Sequence, residues 1–216
     1  MTAPKLTAAL AREYNDLFNR CEIAADKVTE IEGVVQRILD FQNRYAAIAA
    51  KSTVPWYVTA VIHNMECGLD FTKHLHNGDS LKRRTINVPA GRPKTGQPPF
   101  TFEESALDAL EYDGFTEWSD WSIGGICYKL EGYNGWGYRG HNINSPYLWS
   151  YSNLYTSGKY IRDNVWSDEA VSRQCGAAVI LRSMSDHGAI GLVSPPSSKL
   201  IDAATLAEVP RHLFDG

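Results

Sequence analysis

The sequence predicts a mainly α protein with a small β-hairpin wing. Three observations lead there. Apolar residues recur at three-four spacing through residues 5–50 with no interior proline. A second apolar helical pattern runs from Pro55 to a stop signal at Gly68. Asn77-Gly78, between short extended stretches, marks a tight hairpin turn. The length of 216 residues suits one good-sized domain with an appendage, and 44% hydrophobic against 21% charged residues is ordinary for a chain that buries a core.

In the first segment the periodic positions are Leu10, Tyr14, Leu17, Cys21, Ala24, Val28, Ile31, Val35, Ile38 and Tyr45, with an interruption at Gln42. Two arrangements fit. One is a coiled-coil seam, through which an oligomer could form. The other, more usual, is an amphipathic helical pair bent near Gly33 and packed on its own domain. Ser52-Thr53-Val54-Pro55 reads as a helix start, a hydroxyl cap followed by proline in the first turn. Val58, Val61, Ile62, Met65 and Leu69 then mark a buried face. Arg84–Val88 reads as a strand, Pro89–Pro99 as a loop, and Thr101 as the cap of a helix at 102–112.

Residues 117–132 predict another, mostly buried helix, and the Gly- and aromatic-rich stretch Tyr133–Tyr160 a loop. A final helix, about 167–184, is expected to start at Ser167 and to carry Val171, Cys175, Val179 and Met184 inward. Ser194–Ser198 reads as a linker, and 202–214 as a short tail helix. The implied organisation is an N-terminal helical segment (1–50), a central domain (51–185), and a linker with tail (186–216).

Composition narrows the function classes. No run reaches the roughly eighteen apolar residues of a membrane span, so no membrane insertion is expected. The start of the chain carries no apolar signal-peptide core, which points to synthesis in the cytoplasm. A net charge of −4 argues against general nucleic-acid binding. The charge is uneven, with seven Lys or Arg against three acids in residues 51–100. That patch could steer an anionic polymer, or simply be a solvated hairpin. Cys21, Cys67, Cys127 and Cys175 are far apart in apolar patterns and read as buried free thiols. His74 and His76 alternate around Leu75 and would project to one side of a strand. A third convergent ligand is not evident, so hydrogen-bonded cleft residues are expected rather than a metal site, and no cofactor.

The chemistry centres on Glu66. It stands near the C-terminal end of a helix, where the macrodipole disfavours negative charge, and beside an apolar face. Both effects raise a carboxyl pKa, as a general acid requires, whereas a surface carboxylate would pair with a neighbour such as Lys73. Asp79 closes the Asn77-Gly78 turn and Thr85 follows on the predicted strand. A rigid hairpin could hold them across a groove from Glu66, Asp79 to deprotonate a water and Thr85 to position it. Ordinary turn chemistry and β-propensity explain the same two residues. Asp70, four residues after Glu66, is a reserve carboxylate if the helix continues past Gly68. Trp136, Tyr147, Trp149 and Tyr151 are candidate sugar-stacking platforms, with core packing the fate of at least half.

Glu66, Asp79 and Thr85, with five residues between the last two, resemble the catalytic triad of phage-type lysozymes, although the Glu-to-Asp interval is longer here. Val54–Tyr57, Ile62–Glu66, His74–Asp79, Pro89–Pro93, Phe102–Ala106 and Leu130–Gly135 are similar to bacterial and phage lysozyme family proteins. The resemblance extends over roughly residues 8–185. It implies a lysozyme-like helical fold and hydrolysis of peptidoglycan glycan strands, in a phage lysin acting after release or in a particle-borne protein. Tyr133-Asn134-Gly135 resembles the Tyr-Asn-Gly element of goose-type lysozymes and lytic transglycosylases, which would place Tyr133 against the Glu66 carboxyl or an N-acetyl group. Asn134 and His76 join it as expected substrate contacts. Alternatives are a lytic transglycosylase, a chitinase-like glycosidase on a related fold, or a non-catalytic wall-binding or virion component.

Overall fold

The structure is a computed structural model and describes residues 3–162 and 164–192. The first fifty residues form three helices. Helix α1 (Ala8–Asn19) is capped by Thr7, whose Oγ1 accepts the Leu10 N–H at 3.2 Å. A single 3-10 turn (Ala25–Lys27) leads into α2 (Val28–Asp40), and Phe41 separates it from α3 (Gln42–Ser52). The breaks therefore fall after Asn19 and at Phe41, not near Gly33. Gly33 lies inside α2, where a Cβ would meet nothing within 4 Å, so nothing there bends the helix. The irregularity at Gln42 marked a true boundary. Tyr14, Leu17, Ile31, Val35, Ile38, Tyr45 and Ile48 are buried in one core with the remaining helices. The stripe that could have been a coiled-coil seam is consumed by the chain's own packing.

Helix α4 (Trp56–Cys67) begins differently from expectation. Ser52 is the last residue of α3, its hydroxyl bonded back to the Ile48 carbonyl, and Thr53 ends that helix in the left-handed region. Pro55 occupies the cap position of α4, and no side chain caps it. Gly68 ends α4 at φ 59, as its lack of Cβ allows. The carbonyls exposed at that end find partners: Gln174 donates to Met65 at 2.6 Å and Arg37 to Gly68 at 3.1 Å.

The Asn77-Gly78 turn forms, closed by one antiparallel bridge between Lys73 and Ser80. Arg84–Val88 is not a strand. The Asp79 carboxylate takes the N–H groups of Ile86 and Asn87, and Thr85 and Arg92 bond to one another. One side chain does there what a partner strand would have done. Helix α5 (Phe102–Tyr112) carries the full capping box of Thr101 and Glu104. Helix α6 (Ile123–Asn134) starts at the Ser122 cap, later than predicted. At Gly124 a Cβ would lie 3.0 Å from the Ala11 backbone, so its absence lets α1 approach.

Beyond α6 come a 3-10 segment (Trp136–His141) and a four-residue helix α7 (Pro146–Trp149). Strands β1 (Lys159–Arg162) and β2 (Val165–Ser167) pair antiparallel, and α8 (Ala177–Asp186) closes the described core. The fold is mainly α with a small hairpin, but its regular hairpin is β1–β2 rather than the wing. Ser167 ends a strand and bonds Ala170 N–H, so the last helix starts ten residues after its expected cap. Val171 is exposed, while Cys175, Val179 and Met184 are buried as predicted. All four cysteines are buried and free. The expected linker at 194–198 and tail helix lie outside the described residues.

A buried ion pair ties α1, α6 and the 3-10 segment together. Glu131, 3% exposed, accepts the Tyr14 hydroxyl at 2.6 Å and Arg139 Nη2 at 3.0 Å, and its second oxygen lies 2.9 Å from Arg139 Nε. Removing one member of such a group strands the others in low dielectric. Glu131→Gln is expected to lower stability by roughly 3 kcal/mol in urea unfolding, with Tyr14→Phe costing about 1 kcal/mol.

Candidate active site

Glu66 lies in the last turn of α4, part-buried, with its Oε1 accepting the Tyr147 hydroxyl at 3.0 Å. Burial raises its pKa from the ordinary 4.5 to about 7, the Tyr147 hydrogen bond lowers it, and the charge of Asp113 raises it again. Desolvation wins because one neutral hydroxyl cannot replace the water shell of a carboxylate. Glu66 therefore exchanges its proton near neutral pH, and Lys73 pairs with Asp70 rather than with it. Tyr147 is contributed by α7, whose placement follows from the Pro146 start and the burial of Leu148 and Trp149. Its ring packs against Tyr133 with centroids 6.3 Å apart, and Tyr133 packs in turn on Phe115. Burial and the nearby Glu66 push the Tyr133 hydroxyl well above its ordinary value, so it stays a donor.

Asp113, which the sequence reading passed over, belongs to this neighbourhood. It terminates α5, and burial raises its pKa to about 6 against the opposing pull of Lys129 and Arg92. With Tyr133 it lines a cavity of about 280 Å³ that also includes Phe115, Tyr128, Lys129 and Trp136. The only sequence signal was Asp113-Gly114 after a helical run, which reads as a plain turn.

The wing residues do other work. Asp79 Oδ2 accepts the N–H groups of Ile86 (2.8 Å) and Asn87 (2.9 Å), and Oδ1 accepts Asn87 Nδ2 at 2.7 Å. Slight burial opposes its ionisation, but these hydrogen bonds outweigh it and hold the carboxyl below the usual range. The Thr85 hydroxyl is buried, donating to the Pro89 carbonyl and accepting the Arg92 N–H at 2.9 Å, so it is not placed to orient a water. Both residues shape the loop that rests on α4; a Cβ at Gly78 would lie 3.5 Å from the Glu66 carbonyl oxygen. Asp70 is turned away once α4 stops at Gly68, and bonds Thr72 instead.

His76 is not a cleft residue. Its ring is buried against α5, with Nε2 2.7 Å from Asp108, while His74 bonds Ser105 and the Arg83 carbonyl. Trp149 is 1% exposed and is core. Tyr151 is tied to Glu30 and the Arg173 carbonyl, an anchor between α2 and the segment before α8. Trp136 does stand at a cavity wall. It packs on Tyr128 with centroids 5.0 Å apart and lies over Gly132, where a Cβ would be 2.9 Å from the ring. One side of it borders the cavity of Asp113. It also borders a cleft of about 720 Å³ with exposed Asn134 at the rim and Tyr138, His141 and Tyr160 along the walls. Tyr147 and, through it, Tyr133 are thus brought to Glu66, while Asn134 and Trp136 stand at the walls of cavities that Glu66 does not itself line. His76, Trp149 and Tyr151 are not brought to Glu66.

No protein-family model, no curated protein and no solved structure matches the chain.

Glu66 makes stability depend on pH in a defined direction. Its folded pKa exceeds the unfolded one, so its contribution is complete below about pH 4.5 and is lost as pH rises through about 7. Glu66→Gln removes this loss. The variant is expected to gain on the wild type by up to about 3 kcal/mol between pH 4 and pH 8 in urea unfolding. A constant difference across that range would contradict the raised pKa.

Proposed function

We propose that this chain cleaves the β-1,4 bond between N-acetylmuramic acid and N-acetylglucosamine in peptidoglycan, with Glu66 as general acid. The observation that carries the reading is a part-buried carboxyl, protonated up to near neutral pH and held by Tyr147, whose ring packs on Tyr133 at the wall of an aromatic-lined cavity. A glycosidic oxygen leaves poorly as an alkoxide, so a proton delivered during bond breaking lowers the barrier. Tyr147 fixes the carboxyl before transfer and donates to it afterwards, when it is an anion. Trp136 offers a flat face to a sugar ring, and the cleft beyond it has room for further residues of the strand. The resemblance to lysozyme family proteins supplies the substrate.

A second reading is favoured by one observation. The Asp79 carboxylate is fully engaged with the wing, and a lytic transglycosylase needs no second carboxylate there. Glu66, once deprotonated, would then take the proton of the muramic acid 6-hydroxyl as that oxygen closes on C1. Mass spectrometry of digested sacculi separates the two, since hydrolysis leaves reducing muramic acid ends and transglycosylation leaves 1,6-anhydro ends.

Glu66→Gln is expected to lose at least about a hundredfold in lytic rate while still sedimenting with sacculi. Undiminished lysis by that variant would remove Glu66 from the chemistry.

A further inference from the structure

We propose that the tip of the wing, the loop from Thr85 to Arg92 with its flanking cations, is a docking surface for an anionic phospholipid membrane. The contact is peripheral, not a span, and is independent of the chemistry assigned to Glu66.

The loop is closed on itself. Thr85 N–H donates to the Arg92 carbonyl and Gly91 N–H to the Thr85 carbonyl, each at 2.8 Å. Asp79 takes the N–H groups of Ile86 and Asn87, and Asn77 Nδ2 donates to the Asn87 and Val88 carbonyls at 3.0 and 3.3 Å. Much of the tip's backbone is thus bonded within the protein, and its side chains are left to meet what lies outside. Two of them are large and aliphatic. Ile86 is 60% exposed and Val88 87% exposed, the highest values among the large apolar side chains of the described residues. Scattered single apolar residues are ordinary on a surface, but these stand two positions apart on a loop tied at several points. Both gain free energy on entering an apolar medium.

The charge around the tip selects which apolar medium fits. Residues 71–100 hold six Lys or Arg against one acid, Asp79, in a chain of net charge −4. The Asp79 carboxylate is engaged by the loop itself. Of the cations, Lys73 pairs with Asp70, Arg92 with Asp108, and Arg84 donates to the Gly96 carbonyl. Lys82, Arg83 and Lys94 are exposed and form no ion pair among the described residues. Lys94 reaches back over the tip, since a Cβ at Gly91 would lie 3.6 Å from its Nζ. Lys82 and Arg83 stand three and two residues before Thr85. An aliphatic tip flanked by cations matches a bilayer surface, where anionic phosphates overlie acyl chains. The ammonium and guanidinium groups meet the phosphates while Ile86 and Val88 enter between them. A hydrated anionic polymer of the cell wall would satisfy the cations but would give the two aliphatic side chains no apolar medium to enter.

The test is sedimentation of the full chain with vesicles of mixed phosphatidylglycerol and phosphatidylcholine, beside vesicles of phosphatidylcholine alone and isolated sacculi. The wild type is expected to pellet with the mixed vesicles, not with phosphatidylcholine alone, and to be released as added salt screens its exposed charges. The double variant Ile86→Thr, Val88→Thr keeps the β-branched shape and should bind the mixed vesicles at least about tenfold more weakly. Lys82→Gln, Arg83→Gln and Lys94→Gln should each weaken binding about fivefold. All five side chains are exposed, and an unchanged thermal unfolding curve checks that the variants fold. Absence of the wild type from the mixed-vesicle pellet would overturn the proposal. Equal binding by the double variant would mark a purely electrostatic patch and reject it too. Attachment to sacculi that depends on Ile86 and Val88, with none to vesicles, would assign the tip to the wall and likewise reject it. Glu66→Gln should bind vesicles as the wild type does, so failure of the lytic reading and failure of this one are told apart.

Discussion

The buried Glu131–Arg139 pair, completed by the Tyr14 hydroxyl, is the constraint on which the site's architecture depends. Glu131 is buried while the Arg139 side chain stays 28% exposed, and such a pair has little net stability of its own, because the cost of desolvation largely cancels the attraction. Its effect is to make alternatives expensive. Helix α1 cannot slide along α6 without leaving Glu131 unpaired, and the 3-10 segment cannot swing outward without taking Arg139 along. That segment begins at Trp136 and leads to α7, which brings Tyr147 to Glu66. The polar contact on α6 thereby anchors the segment that starts at Trp136 and precedes Tyr147.

Within the site, competing effects of different size decide the protonation of Glu66. A hydroxyl hydrogen bond stabilises the anion by an amount on the order of 1 kcal/mol, whereas removing a carboxylate from water costs several. Gln174 and Arg37 donate to the carbonyls at that helix end and not to the side chain, so they do nothing to restore the lost hydration of the carboxylate. Asp79 shows the opposite balance on the adjoining wing. It is exposed enough to stay hydrated and receives three hydrogen bonds, so it remains ionised and serves the backbone.

Local chemistry was legible in the sequence, and long-range partnership was not. Gly68 as a stop, Thr101 as a helix cap, and the Asn77-Gly78 turn each depend on residues within a few positions, and each was read correctly. Glu66 could be singled out because its helix position and apolar neighbours already imply a raised pKa. Arg84–Val88 was misread because β-branched residues suggested a strand, while the competing partner was the side chain of Asp79. The aromatic residues from Tyr133 to Tyr160 have no periodicity to separate core from cleft. Trp149 in the core and Trp136 on a cavity wall therefore look alike in one dimension. Asp113 stayed hidden because its neighbours in space, Tyr133 and Lys129, belong to another helix.

Trp136 has one further consequence. Because Trp136 forms part of both the small cavity bordered by Asp113 and the wide cleft beyond, an occupant of either meets the same residue. On the proposed reading, a disaccharide would reach one compartment only, whereas a longer strand spanning both would contact Trp136 from each. Contacts remote from the scissile bond would then hold the strand in register, so turnover and not only affinity would climb with oligomer length until both compartments are occupied.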